Sequence, residues 1–276
     1  MSFLTKLEQI DRRVVYFLLL LVIAIPVLHP IGLPLTIGDN ARTYAAQVAA
    51  IPDGATVLYE VGFTAGGLAD LRSGAVATLR QLAEKNVKVV FVSCYSEGPV
   101  LFPIIIKDSE FDKVKKYGTD YAFLGFIAGR ETGMAALARD IRSVVPKDYY
   151  GTPLDQLPVM KGINGAKDFH TLFVITDGTD IIEGYIRQWI AGYKVRALVI
   201  VLGPMGPSVE PFFPAQVQGL MYGSRMGAEY ELILRKPGVG LSLMDAESAA
   251  HSMIIILIIL GNLAYAYRRA AKKGGK

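Results

Sequence analysis

The sequence predicts an α/β fold: a five-stranded, mainly parallel sheet with flanking helices, a Rossmann-like or flavodoxin-like layered domain, plus one N-terminal and one C-terminal transmembrane helix. Three observations predict it. Short apolar runs rich in Val, Ile and Phe alternate with longer stretches of helical periodicity, those runs are apolar throughout, and two uncharged segments flank the whole pattern. A strand without polar alternation is covered on both faces, as in a parallel sheet between two layers of helices.

The first strand is TVLYEVGF (56–63), followed by the helix-like LADLRSGAVATLRQLAEKN. VKVVFVSC leads into a helical stretch around 97–116, and DYAFLGF (120–126) into ETGMAALARDIRSVV. A polar loop at 146–167 interrupts the rhythm; its prolines and Tyr149 and Tyr150 suggest an ordered contact surface. TLFVITD (171–177) precedes TDIIEGYIRQWIAGY, and VRALVIVL (195–202) precedes a proline-rich loop and the helix-like AQVQGLMYGSRMGAEYELIL. Five βα units result, a layered domain of ordinary size.

The chain of 276 residues is 52% hydrophobic and 20% charged, which excludes a disordered polymer. A single cysteine and three histidines exclude a disulfide scaffold and a Cys/His zinc cluster. The net charge of +4 is concentrated at the ends. Three of the 29 basic residues lie in 1–13 and five follow Tyr267, leaving 21 in the middle against 23 acidic ones. A slightly acidic domain offers no cationic face for phosphates, so nucleic acid is not an expected partner.

Residues 14–37 and 248–267 carry no Asp, Glu, Lys or Arg. Twenty helical residues at about 1.5 Å each span roughly 30 Å of hydrocarbon. Arg12 and Arg13 precede the first segment, and Arg268, Arg269, Lys272 and Lys273 follow the second. The positive-inside rule then gives a protein of the cell membrane, in contact with the lipid bilayer and with both termini cytoplasmic. The expected order is a cytoplasmic 1–13, an anchor at 14–37, an extracytoplasmic domain at 38–247, a second anchor at 248–267 and a basic cytoplasmic tail at 268–276. Pro26, Pro30 and Pro34 follow the first apolar centre where a small-residue cleavage site would be needed, which favours a retained anchor whose helix ends near Leu28.

In parallel sheets ligands gather at the carboxyl ends of the strands, so the residues leaving each strand are the candidates for function. Every exit contains glycine, and four contain a carboxylate. Glu60, Thr64, Ser93, Glu97, Asp177 and Asp180 are the candidate ligand or metal-binding residues, with Glu131 beside them. No phosphate-binding G-x-x-x-x-G-K-[ST] loop, no G-x-G-x-x-G and no G-x-S-x-G occurs. Cys94 and His170 fall at opposite ends of their strands, too far apart for a nucleophile and its base. Carboxylate chemistry remains, most naturally around a hard cation such as Mg²⁺ or Ca²⁺.

The segment LFVITDGTDIIEGYIRQWIAGYKVRALVIVLG (172–203) resembles the corresponding strand, helix and strand of von Willebrand factor A domains. The resemblance covers about an eighth of the chain and implies a metal-binding role for Asp177. The family's main metal motif, Asp-x-Ser-x-Ser after the first strand, is replaced here by Glu60-x-Gly62-x-Thr64.

Gly219, Gly223 and Gly227 recur every four residues, and in a helix they would share one face. Each costs about 1 kcal/mol relative to alanine in a helix, so a bare face calls for a close neighbour, either the domain's own sheet or another subunit. Arg225, Glu229 and Glu231 on the same segment are the candidates for intersubunit pairing. The function expected is a structural or interaction subunit of a homo-oligomer or a larger membrane complex. The alternatives are a ligand- or divalent-metal-binding sensor and a carboxylate-dependent hydrolase or transferase.

Overall fold

The computed structural model describes residues 11–274 and divides into two units, residues 36–240 and the two terminal segments. The expected cytoplasmic stretch 1–13 therefore falls largely outside the described residues.

Residues 36–240 hold six strands, one more than the sequence suggested. They are β1 (Thr56–Gly62), β2 (Lys88–Ser93), β3 (Tyr121–Phe126), β4 (Thr171–Thr176), β5 (Arg196–Val201) and β6 (Gly219–Tyr222). All pair in parallel, in the order β3-β2-β1-β4-β5-β6. Both faces are buried. Leu58, Val90, Leu172 and Val199 enter one core; Val57, Tyr59, Phe91, Phe173 and Ile200 enter the other.

The second core is covered by α2 (Asp39–Ala49), α3 (Leu68–Ala83), α4 (Gly98–Ser109) and α10 (Gly223–Ile233). The short α5 (Phe111–Val114) joins that side through Phe111. The first core is covered by α6 (Glu131–Arg139), α7 (Ile141–Val144), α8 (Thr179–Tyr185) and the short α9 (Gly206–Val209). Leu154, Leu157, Val159, Met160 and Ile163 from the 146–167 loop also pack there. That loop is ordered because its apolar residues complete a core, while Tyr149 and Tyr150 stay 50% and 61% exposed.

The expected helix at 215–234 begins only at Gly223, after a turn and the four-residue β6, so the three glycines do not lie on one helix face. Gly219 lies in β6, where a Cβ would come within 2.8 Å of Leu198 Cδ2. Gly223 turns the chain from strand to helix at φ +76°, a conformation side chains disfavour. Gly227 lets α10 meet α3: a Cβ would lie 2.1 Å from Ser73 Oγ and 2.7 Å from Gly74 N. The close neighbour demanded by these glycines is thus found within the domain. The spacing of four misled because a four-residue strand followed at once by a helix can mimic one helical stripe.

The terminal unit contains α1 (Arg12–Leu28) and α11 (Val239–Gly274), the latter beginning just inside the domain's last residues. One described helix is long and apolar enough to cross a membrane, Val239–Arg269, whose most apolar 18-residue stretch has a mean hydropathy of 1.9. The first expected span, 14–37, is instead a 17-residue helix ending at Leu28, followed by chain without regular structure through Pro30 and Pro34. Proline restrains the residue before it away from helical geometry, which explains the stop. Asn262 in α11 donates to Ile258 O at 2.8 Å, so the helix takes up one of its amide hydrogens.

Replacing Gly227 with alanine should destabilise the domain by about 1–3 kcal/mol, because Ser73 and the Gly74 backbone cannot both give way. Gly192→Ala, where nothing lies within 4 Å, should be neutral or slightly stabilising. Urea unfolding of the two variants beside the parent protein measures the difference.

Candidate functional site

The strand order reverses between β1 and β4, so the chain leaves these neighbours in opposite directions and opens a crevice at their carboxyl ends. Asp177, just after β4, reaches across it. Its Oδ2 accepts hydrogen bonds from Thr64 N at 2.9 Å and Thr64 Oγ1 at 2.6 Å. Glu97, at the start of α4, accepts from Ala65 N at 2.6 Å. Two successive backbone N–H groups of the β1–α3 turn are thereby taken by the chain's own carboxylates. In related sheets this turn cradles phosphate at a helix N-terminus; here an incoming phosphate would meet two fixed negative charges. Gly67 makes the approach possible, since a Cβ there would lie 2.6 Å from Asp177 Oδ2. Asp177 Oδ1 is buried and has no hydrogen-bond partner.

Beneath this turn Glu60 is fully buried in β1. Its Oε1 accepts from Cys94 N and its Oε2 from Tyr185 Oη, both at 2.6 Å, and Cys94 Sγ lies 3.8 Å from the same phenol. Burial pushes the Glu60 carboxyl up to about 7, against the pull of the two hydrogen bonds. Burial also pushes the Cys94 thiol well up, and the adjacent Glu60 adds to it. Cys94 is therefore a neutral interior thiol. His170 stands before β4, with Nδ1 2.8 Å from Thr171 Oγ1, at the opposite end of the strands.

Across the crest, Arg130 pairs with Asp180 and places its guanidinium 5.7 Å from the centre of the Tyr95 ring. Arg130 does so at φ +48°, a costly backbone for a residue with a side chain. Exits of β2, β3 and β4 are joined by this trio. Glu131 is held by Arg187 at 2.9 and 2.8 Å and by Gln188 at 2.9 Å, contacts that keep its carboxyl down at about 2. Ser93 Oγ is buried within 2.7 Å of Val61 O and 2.8 Å of Tyr95 O, and serves the turn. Asp70, in the first turn of α3, accepts from Gly203 N at 3.0 Å and Ser224 N at 2.6 Å, tying the exits of β5 and β6 to it.

The structure thus brings Thr64, Glu97 and Asp177 together on one turn and leaves Glu60 buried below and Asp180 with Arg130. The local resemblance implied a metal-binding role for Asp177; in the structure its Oδ2 accepts hydrogen bonds from Thr64. Among the described residues, no group of three or more His, Cys, Asp or Glu is placed to hold a metal ion. On α10, Arg225 pairs with Glu229 at 3.1 Å, Glu229 accepts from Gly38 N at 2.9 Å, and Glu231 accepts from Gly238 N and Gly240 N, both at 3.0 Å. Those two carboxylates are buried inside the domain.

Four residues of this region escape sequence reasoning: Asp70, Tyr95, Arg130 and Tyr185. Only Asp70 carries a local signal, an acid in the first turn of a helix that follows paired glycines. The partners of the other three lie 35 to 125 residues away, from Tyr95 with Arg130 to Tyr185 with Glu60.

No family model matches the chain, and no curated protein matches it. Among solved structures, AibC is similar at 12% identity and a TM-score of 0.33, over 78% of this chain. The chain spans about half the length of AibC, 49% of it. A short-chain type dehydrogenase/reductase from Mycobacterium marinum is similar at 10% identity and a TM-score of 0.27, over 73% of this chain and 92% of its own. Neither likeness bears on activity or substrate.

Glu60 gives the fold a pH signature. Its carboxyl titrates near 7 when folded and near 4.5 in an open chain, so the folded form holds the proton more tightly. This contribution is fully present below about pH 4.5 and is lost as pH rises through about 7, a decline of up to about 3 kcal/mol. Glu60→Gln should flatten that slope and make the domain relatively more stable at pH 8. Chemical denaturation of both proteins between pH 5 and pH 8 measures it; parallel slopes would overturn the assignment.

Proposed function

We propose that the chain is a two-span, membrane-anchored α/β domain acting as a structural or interaction subunit of a homo-oligomeric or larger membrane complex. In this reading both termini are cytoplasmic and the central domain lies outside the cytoplasm. The observation that carries the anchorage is a single carboxylate. Asp245, buried in α11, accepts hydrogen bonds from Ile31 N at 2.7 Å, Gly32 N at 2.8 Å and Leu33 N at 2.9 Å, just beyond the end of α1. The far end of one helix is thereby tied to the near end of the other, as in an antiparallel hairpin.

Helix lengths support the same reading. Asp245 to Arg268 is 23 helical steps, about 34 Å at ~1.5 Å each. Ile31 back to Arg12 is three extended steps and 16 helical ones, again about 34 Å with ~3.3 Å per extended step. The two basic pairs then reach the same depth. Both helices turn large apolar residues outward, Tyr16, Phe17 and Leu20 on α1 and Ile255, Ile256 and Ile258 on α11. Such rows suit hydrocarbon and not water. Less exposed positions recur at alternating steps of four and three: Val15, Leu19, Val22 and Pro26 on α1, Met253, Leu257, Leu260 and Ala264 on α11. That spacing is the seam of one helix against another.

The subunit role is supported by the crest, where Glu60, Glu97, Asp177, Asp180 and Glu131 are all engaged in holding the domain's own turns. A second reading, a divalent-cation sensor, is favoured by one atom, the unpartnered Asp177 Oδ1. Ca²⁺ or Mg²⁺ raising the melting temperature over an EDTA control would support it by mass action, with Asp177→Asn abolishing the shift.

Topology and association are tested together. Cys94 is buried, so single introduced cysteines report cleanly with a membrane-impermeant maleimide. Tyr150→Cys should label in intact cells, and Ser2→Cys and Gly275→Cys only after permeabilisation. External labelling of either terminus overturns the topology. Native mass measurement in detergent should give more than one copy or a co-purifying subunit; a lone monomer counts against the subunit role.

A further inference from the structure

Helix α11 carries a second row of residues at the same spacing as its seam with α1. Ser248, Ser252, Ile255, Ile259, Asn262 and Ala266 follow one another at alternating steps of four and three, and all are exposed. At about 100° per residue this row stands roughly 150° round the helix from the less exposed Met253, Leu257, Leu260 and Ala264. Residues repeating at that interval form the seam of a left-handed helix pair. Here the seam is bare, with Ile255 and Ile259 56% and 53% exposed.

Exposed isoleucines suit lipid as well as protein, but Asn262 does not. Its Nδ2 donates to Ile258 O at 2.8 Å, which uses one of the two amide hydrogens. The other hydrogen and the carbonyl oxygen Oδ1 meet no partner among the described residues. Asn262 lies inside the candidate span, six helical steps, about 9 Å, from Arg268 and 17 steps, about 26 Å, from Asp245. Its side chain has a single methylene and cannot reach either polar boundary, unlike the long stems of lysine and arginine. Polar groups without partners are costly in hydrocarbon, and a neighbouring helix supplies what lipid lacks.

We infer that this neighbour is a second copy of the chain, its α11 parallel to the first along the row from Ser248 to Ala266, with the two Asn262 amides hydrogen-bonded to each other. Copies inserted with one topology hold each residue at one depth, so around a two-fold axis along the membrane normal Asn262 meets Asn262. A side-chain amide carries both donors and an acceptor and is therefore its own complement. A single polar residue in an apolar seam also fixes register, because any slip along the row separates the amides. The inference rests on the membrane-anchored subunit reading above and names its partner and surface.

The test introduces single cysteines into the full chain, whose own Cys94 is buried, and oxidises them with copper phenanthroline in native membranes. Ile255→Cys and Ile259→Cys should give disulfide-linked dimers. Ile254→Cys and Gly261→Cys lie at similar depths but about 130° away round the helix, and should give at least about fivefold less. In detergent, over a dilution series followed by native mass measurement, Asn262→Leu should raise the dimer dissociation constant about 3- to 30-fold. Asn262→Gln keeps the amide and should lose less. Equal cross-linking from both faces, none from either, or an Asn262→Leu dimer as tight as the parent overturns the inference. The subunit reading is judged separately: it survives such a result if more than one copy or a co-purifying subunit is still weighed, and falls with it if the chain is a lone monomer.

Discussion

Parallel pairing imposes two demands at once, and residues 36–240 are shaped by both. Each strand has neighbours running the same way, so all six finish at one edge and every connection must return across a face. Both faces are then covered, which is why Val57 and Leu58, adjacent in sequence, lie in different cores and both are fully buried. The crowding of exits creates the second demand. Turns that leave a strand and start a helix carry backbone N–H groups without helical partners. Asp177, Glu97 and Asp70 supply the acceptors, each from a different turn from the one it serves. Carboxylates at the crest are thus first an answer to donor satisfaction.

The same logic operates in the terminal unit. Chain leaving α1 through Ile31, Gly32 and Leu33 presents three successive N–H groups, with Gly32 at φ +75° curling them toward a single point. Three donors converging on one carboxylate form an anion nest. Asp245 fills it. An aspartate near the beginning of a long apolar helix is thereby explained as a clasp between segments 212 to 214 residues apart in sequence.

Glu60 and Asp148 stand apart because each is a buried acid with a distinct task. Glu60 sits at the centre of the sheet, where β1 has neighbours on both sides, and joins the β2 exit to α8. Asp148 lies in the long loop beside edge strand β3, and fixes the Tyr117 hydroxyl and the turn that carries Tyr150. Tyr149 N also donates to Phe123 O at 2.9 Å, so the loop shields part of an edge that would otherwise invite pairing.

By itself the sequence determined the strands β1 to β5, because a parallel strand must be apolar throughout and such runs are visible without neighbours. It determined where α1 stops, because proline acts on the residue before it. It also located the crest, since one end of a parallel sheet collects every exit. β6 was illegible: four residues are too few to show a pattern, and the glycines around them imitated a helix face that belongs instead to separate contacts with Leu198, Gly203 and Ser73. α2 was missed as well, since DNARTYAAQVA carries a modest apolar stripe that acquires meaning only against β6 and α10. Only the tertiary structure decided what each carboxylate touches. Residue type announces that an acid is present, but its role is set by donors from 31 to 214 residues away, and those contacts exist only once the chain has folded.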